Sequence, residues 1–172
     1  MKRAVFFDRD GVINERILGG YVTKWDEFVW LPDVGETLLA IKEKGYLAII
    51  ISNQRGVGTG LMTQEALDVL HERMQSELLD TFGTTFDDIF YCTDANDNST
   101  RRKPSPEMIF EAAVKWNIDL ALSWFVGDSP SDIEAGRKAG TRTAFLLNDH
   151  EIAPQTATIT LRRLAEFSAH LS

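Results

Sequence analysis

Ala4-Val5-Phe6-Phe7 runs directly into Asp8-Arg9-Asp10-Gly11, and this join carries the strongest signal of architecture in the chain. Four consecutive apolar residues read as a strand buried on both faces. The two carboxylates at its carboxyl end mark where the chain leaves the core, and the glycine lets it turn sharply there. Working outward, similar short runs recur as Tyr46 to Ile51, Asp88 to Tyr91, Trp124 to Val126 and Thr143 to Leu147. Between them lie Val34 to Lys44, Thr63 to Asp80, Pro106 to Trp116 and Ser131 to Ala139, where apolar residues recur at helical spacing, as in Leu67, Leu70, Met74 and Leu78. Strand and helix alternate, which implies right-handed crossovers. The expected fold class is α/β, a doubly wound, mostly parallel sheet with helices on both faces.

Punctuation supports these boundaries. Gly45 and Gly140 stand where a helix end favours a left-handed residue, and Thr63 opens a helix with Gln64-Glu65 behind it. Ala157-Thr158-Ile159 is read as a last short strand, with Thr160 capping a final helix through Leu171. No repeat, low-complexity tract or linker divides the 172 residues, of which 44% are hydrophobic and 26% charged, so a single domain over 1–172 is expected.

The irregular stretches Gly11 to Leu31, Asn53 to Leu61 and Thr93 to Pro104 each follow a strand's carboxyl end, which is where open α/β sheets bind ligands. Taken alone, Asp8-x-Asp10-Gly11 reads equally as a turn with solvated acids. A calcium loop is disfavoured because the twelfth position from Asp8 is Gly19 instead of a bidentate glutamate. Ser52, which ends the second run, and Ser131 in Gly127-Asp128-Ser129-Pro130-Ser131-Asp132 are individually read as caps before ligands. Together the signals say more: carboxylates at two strand ends, a hydroxyl at another and Arg102-Lys103 after a third would face an acidic metal site with anion-binding groups.

In that four-part order the chain resembles the haloacid dehalogenase-like superfamily of phosphotransferases and phosphatases. Its motifs stand here as Asp8-x-Asp10-Gly11, Ser52-Asn53-Gln54, Lys103-Pro104 and Gly127-Asp128-x-x-x-Asp132. The fuller strings Asp-Arg-Asp-Gly-Val, Ser-Asn-Gln, Arg-Lys-Pro and Gly-Asp-Ser are most similar to the branch of histidinol phosphatase and D-glycero-D-manno-heptose-1,7-bisphosphate phosphatase. The resemblance implies roles. Asp8 would attack phosphorus to give an aspartyl-phosphate, and Asp10 would act as general acid and then base. Mg²⁺ would be held by the Asp8 carboxylate, the Asp10 backbone carbonyl and the Asp128 carboxylate, with Asp132 in support. Lys103 would offset charge on Asp8 and on the transferring group. Ser52 and the backbone N–H of Asn53 would bind phosphate oxygens, and Arg102 would contact substrate.

The chain also departs from its relatives. The heptose-bisphosphate enzymes often carry a zinc loop of Cys-x-His followed by Cys-x-Cys. Here only Cys92 remains, with Asp94, Ser99 and Arg101 at the matching positions, so structural zinc is not expected. Asp94, Asn96 and Asn98 read as a polar turn. Neither inter-motif interval has room for a cap domain, so a capless form is expected, with selection of substrate by the loops Asn14 to Tyr21, Arg55 to Gly60 and Asp94 to Arg102. Trp25 and Trp30 are read as packing that flap against the body. Arg9, Arg55 and Arg101 are read as surface charge.

The net charge of −8 and a pI near 4.9 argue against nucleic acid and anionic membrane as partners. A lone cysteine fits a reducing compartment, hence the cytoplasm, and the four apolar residues Ala4 to Phe7 after Met1-Lys2-Arg3 are too few for a signal peptide. A monomer acting on a small phosphate ester is the expected state. The leading function is a Mg²⁺-dependent phosphatase for a sugar bisphosphate of the heptose type. Histidinol phosphate, a nucleic-acid terminal phosphate and a nonenzymatic phosphoacceptor domain stand as alternatives. The last is disfavoured because receivers carry adjacent acids on their first strand and accept phosphate on their third, whereas Asp10 stands ready beside Asp8.

Overall fold

A computed structural model describes residues 1–148 and 152–171. Six strands form one sheet: β1 Arg3–Phe7, β2 Tyr46–Asn53, β3 Asp88–Cys92, β4 Trp124–Gly127, β5 Arg142–Leu146 and β6 Ile159–Leu161. All pair in parallel in the order β3-β2-β1-β4-β5-β6. The crossovers carry α1 Val34–Glu43, α2 Arg55–Gly58, α3 Gln64–Phe82, α4 Glu107–Trp116 and α5 Pro130–Ala139. This is the doubly wound arrangement the alternation predicts, and α2 is the helix that the sequence reading did not anticipate.

Burial explains why the strands read as continuous apolar runs. Alternate residues of the central strands enter two separate cores. Val5, Phe7, Ala48, Ile50, Trp124 and Val126 face Leu38, Ile41, Leu70, Met74 and Leu78 of α1 and α3. Ala4, Phe6, Ile49, Ile51 and Phe125 face Met108, Ile109, Ala112 and Ala135 of α4 and α5. With helices on both sides, neither face of the central strands meets water, so no polar alternation is needed there.

The strand order reverses at β1, which pairs β2 on one edge and β4 on the other. A crevice therefore opens between the carboxyl ends of β1 and β4, the topological switch point of this fold. Asp8 follows β1 and donates its N–H to Val126 O at 3.0 Å, while Asp128 follows β4. The topology thus brings two carboxylates 120 positions apart to one mouth. Residues 12–33 close over one side as a flap, pinned where Leu31 N–H donates to Ile13 O at 2.9 Å and Glu15 N–H to Val29 O at 2.8 Å. Trp25 stacks on Phe28, Phe28 meets Trp30 edge-on, and Trp30 Nε1 donates to Glu77 of α3 at 2.8 Å. Both tryptophans pack the flap onto the body, as expected.

The carboxyl-terminal segment differs from expectation. The last strand is Ile159–Leu161, two residues later than predicted, so Thr160 lies inside it and caps nothing. A 3₁₀ helix over Leu164–His170 follows in place of an α-helix. Its Phe167 is fully buried and packs edge-on against Trp124 of β4 with ring centroids 5.6 Å apart. Here one core contact, not helical periodicity, fixes the chain. Truncation should show it: Phe167→Ala is expected to lower unfolding free energy by about 3–5 kcal/mol. Denaturant unfolding measures this, and a loss near zero would mean the segment is not part of the cooperative core.

Candidate active site

Asp8, Asp10, Asn53, Lys103, Asp128 and Asp132 line one cavity of about 280 Å³ at the switch point, and Arg16, Tyr21 and Arg102 line its outer part. Lys103 holds the centre. Its Nζ lies 2.8 Å from Asp8 Oδ1 and 2.7 Å from Asp132 Oδ1, and donates to Ile51 O at 2.8 Å. An ammonium has three protons and no acceptor; it hydrogen-bonds Asp8 and the Ile51 carbonyl, and Asp132 Oδ1 faces it as an ion-pair partner. The side chain is 2% exposed. Burial alone would make the lysine easier to deprotonate, but the charges of Asp132 and Asp8 outweigh it and hold the proton more tightly than usual.

The loop bearing Lys103 is aimed by Asn53. Asn53 Oδ1 accepts Lys103 N–H at 3.0 Å and Asn53 Nδ2 donates to Lys103 O at 3.2 Å, so the end of β2 and the segment before α4 are locked together. The Asn53 side chain is therefore spent on Lys103. Ser52 is fully buried beneath the cavity, where its Oγ accepts from Gln54 Nε2 at 2.8 Å. It is not among the residues lining the cavity.

Asp8 and Asp10 sit in opposite environments. Burial, and then repulsion from Asp132 and Asp10 that Lys103 only partly offsets, push the Asp8 carboxyl up to about 7. Burial would also raise Asp10. There the Arg9 guanidinium, with hydrogen bonds from Arg9, Asn14 and Gln54, wins and keeps the carboxyl below the ordinary carboxylate range. Arg9 Nη2 donates to both Asp10 oxygens at 2.8 and 3.1 Å, Asn14 Nδ2 to Oδ1 at 2.9 Å and Gln54 Nε2 to Oδ2 at 2.9 Å. Asn14 and Gln54 were not singled out as site residues by the sequence reading.

Asp132 supports its neighbours. Its Oδ2 accepts from Asp128 N–H and Ser129 N–H, both at 3.2 Å, and from Ser129 Oγ at 2.8 Å, forming the amino-terminal cap of α5. Ser129 is the N-cap and Ser131 stands within the helix. Glycines give the acids room. A Cβ on Gly127 would lie 2.2 Å from Asp132 Cβ, and one on Gly11, at φ +91°, would lie 1.9 Å from Asp128 Oδ2. Asp8, Asp128 and Asp132 can each bring one oxygen within 4.8 Å of the others, a set able to hold a metal ion.

The arginines divide. Arg9, expected at the surface, is fully buried as the partner of Asp10, which corrects that reading. Arg55 is the exposed cation expected, 3.3 Å from Asp97. Arg101 forks onto Glu111 at 2.7 and 2.8 Å and donates to Tyr91 O at 2.5 Å, so it ties its loop to α4 and β3. Arg102 lies 3.8 Å from Asp97, with a buried Nη1 that has no hydrogen-bond partner among the described residues. Arg16 approaches Asp128 Oδ2 at 3.6 Å from the flap. Where a cysteine-rich loop was considered, Ser99 Oγ donates to Asp94 Oδ2 at 2.5 Å and accepts from Arg101 and Arg102 N–H, both at 3.2 Å. No described helix is long and apolar enough to cross a membrane.

Comparison with known proteins agrees with this geometry. A family model for haloacid dehalogenase-like hydrolases matches residues 13–140, a span that begins just after Asp8 and Asp10. A D-glycero-alpha-D-manno-heptose-1,7-bisphosphate 7-phosphatase of Burkholderia mallei is 37% identical over 91% of this chain and 85% of its own. A D-glycero-beta-D-manno-heptose-1,7-bisphosphate 7-phosphatase of Helicobacter pylori is 34% identical over 95% of this chain and 94% of its own. The crystal structure of D,D-heptose 1,7-bisphosphate phosphatase from B. bronchiseptica, complexed with magnesium and phosphate, superposes with a TM-score of 0.88 at 26% identity, covering 98% of this chain and 97% of that one. The switch-point acids, the buried lysine and these relatives converge on one assignment: the chain belongs to the haloacid dehalogenase-like hydrolase family.

Proposed function

We propose that this chain is a Mg²⁺-dependent phosphatase that hydrolyses a small sugar bisphosphate, a heptose 1,7-bisphosphate foremost, through an aspartyl-phosphate on Asp8. The observation that carries this reading is the Lys103 ammonium shared by Asp8 and Asp132 at the switch point, with Asp10 held beside it. A carboxylate facing the cavity is the nucleophile, and the cation bonded to it lowers its repulsion toward an incoming phosphate.

In the first half-reaction an Asp8 oxygen bonds to phosphorus as the bond from phosphorus to the substrate oxygen breaks. Asp10, having taken a proton from solvent as the phosphate binds, gives it to that leaving oxygen. Arg9, Asn14 and Gln54 keep Asp10 ionised at rest, but the arriving phosphate adds negative charge beside it and raises its proton affinity, the direction its acid role needs. In the second half-reaction Asp10 takes a proton from the water that attacks phosphorus, the bond to Asp8 breaks, and phosphate leaves. Lys103 stays bonded to Asp8 throughout and holds its orientation. Backbone N–H groups near Asn53 are assigned to phosphate oxygens, whereas Ser52, expected to share that role, is fully buried against Gln54 and is assigned to support behind the cavity.

The donor set of the Asp8 and Asp128 carboxylates and the Asp10 carbonyl is all hard oxygen, which fits Mg²⁺. The Cβ-free space at Gly11 lets Asp128 approach, and the charge crowding at Asp8 favours a cation. Magnesium there would neutralise charge on the transferring phosphoryl group. Asp132 is committed to Lys103 and to the cap of α5, so it is assigned to support. The heptose bisphosphate is favoured by the names of the relatives and by Arg102, which lines the cavity and whose guanidinium suits a second anionic group.

Asp8→Asn is expected to abolish phosphate release without loss of fold, and Asp10→Asn to slow it by about 10²–10⁴-fold. Turnover should stop with a chelator and return with Mg²⁺. Wild-type rates in both folded variants would remove these residues from the mechanism.

A carboxyl raised in the folded protein binds its proton more tightly than in the unfolded chain. That contribution to stability is full below the unfolded value of 3.8, falls as pH rises, and is gone once pH has passed through about 7. Mg²⁺ replaces the proton, so the gain in Tm on adding Mg²⁺ should be larger at about pH 8 than at about pH 6. A gain independent of pH in thermal unfolding would contradict the assignment of the metal to Asp8.

Arg102→Lys should lower kcat/KM for the bisphosphate more than for a matched sugar monophosphate, because lysine lacks the planar fork. Equal kcat/KM for the two substrates in the wild type, unchanged by the substitution, would reject recognition of the second phosphate.

A further inference from the structure

Arg9 and His71 form a buried pair that the reaction described above leaves unexplained. Arg9 is the largest of the fully buried side chains, and His71 is 5% exposed. His71 lies on the inward face of α3 with Leu67, Leu70, Met74 and Leu78, where packing alone calls for an apolar residue. Its Nε2 lies 3.1 Å from Arg9 Nη1. A guanidinium only donates, so Nε2 is the acceptor and the imidazole proton sits on Nδ1. The far side of the same guanidinium grips both oxygens of Asp10. Burial, and then the Arg9 charge, push the His71 imidazole down to about 3, so it stays a neutral acceptor at physiological pH. The Arg9 Nε–H is buried without a hydrogen-bond partner among the described residues. A buried cation with an unmet donor is costly, and apolar packing would serve stability as well or better.

We propose that His71 is a positioning residue for proton transfer, holding Arg9 in the single orientation from which it aims the Asp10 carboxylate at the leaving oxygen. The inference rests on the phosphatase reading given above. It extends the site from the crevice through Arg9 into α3, an element that contributes no residue to the cavity wall. Asn14 and Gln54 restrain one Asp10 oxygen each, whereas Arg9 spans both, so the carboxylate plane follows the guanidinium.

The test separates positioning from stability by leaving group. An alkyl phosphate needs its leaving oxygen protonated, while p-nitrophenyl phosphate releases a stable phenolate, and kcat/KM reports on the step that forms the aspartyl-phosphate. His71→Leu is expected to lower kcat/KM on the sugar phosphate by about 10–10²-fold, part of the range for a lost general acid, and on p-nitrophenyl phosphate by less than about 3-fold. His71→Gln, whose amide oxygen can accept from Arg9, should recover most of the loss. Arg9→Lys keeps the charge but loses the fork. It should show the same dependence on leaving group, and it carries the test if His71→Leu does not fold. Equal losses on both substrates, or wild-type kcat/KM in folded His71→Leu or Arg9→Lys, would overturn the proposal. Asp8→Asn and Asp10→Asn serve as controls. If they are inactive while the His71 and Arg9 variants are normal, the positioning role fails and the phosphatase reading stands. If Asp8→Asn turns over, the phosphatase reading itself fails.

Discussion

The ammonium of Lys103, hydrogen-bonded to Asp8 and the Ile51 carbonyl and ion-paired with Asp132, anchors everything else in the site. Asp8, Asp128 and Asp132 crowd into one crevice, and without a cation among them their repulsion would oppose folding. The buried lysine makes that crowding tolerable, and it joins three parts of the chain: the end of β1, the edge of β2 and the cap of α5. Removing one partner of such a buried pair costs about 3–5 kcal/mol, because the other charge is left uncompensated. The same contacts that hold the site together also hold the carboxyl end of the sheet together.

Around this centre the chain divides its polar groups into two sets. One set faces the cavity: Asp8, Asp10, Lys103, Asp128 and Arg102. The other set works behind it, and each member aims one of the first. Asn53 fixes the backbone at Lys103, Asp132 fixes Lys103 and the first turn of α5, and Arg9 with Asn14 and Gln54 fixes Asp10. Catalytic geometry is lost with displacements of about 1 Å, so the supporting set is as necessary to function as the groups it orients.

Asp8 and Asp10 stand two residues apart at one strand end, yet their proton affinities move in opposite directions. Asp8 sits among other carboxylates and Asp10 sits against a guanidinium. One environment suits a ligand that exchanges a proton for a metal, and the other suits a base. A pair of identical side chains acquires two functions from its neighbours alone.

The central sheet is legible in the residues alone, because a strand buried on both faces must be written as a continuous apolar run and its covering helices as periodic ones. The runs at Ala4 to Phe7, Tyr46 to Ile51 and Trp124 to Val126 are legible for that reason. The acids at the ends of β1 and β4 are legible too, since topology sends strand ends to the switch point whatever the details of packing. The carboxyl-terminal segment was not legible. Its 3₁₀ turns are held by Phe167 against Trp124, a contact between distant residues that leaves no local period. Arg9 was misread for a related reason: composition places arginines at the surface, and only the fold brings His71 of α3 and Asp10 of β1's exit to either side of one guanidinium. The identity of a buried polar residue is written in the chain, but its partner is chosen by tertiary structure, because hydrogen bonds between elements depend on distances that no local pattern encodes.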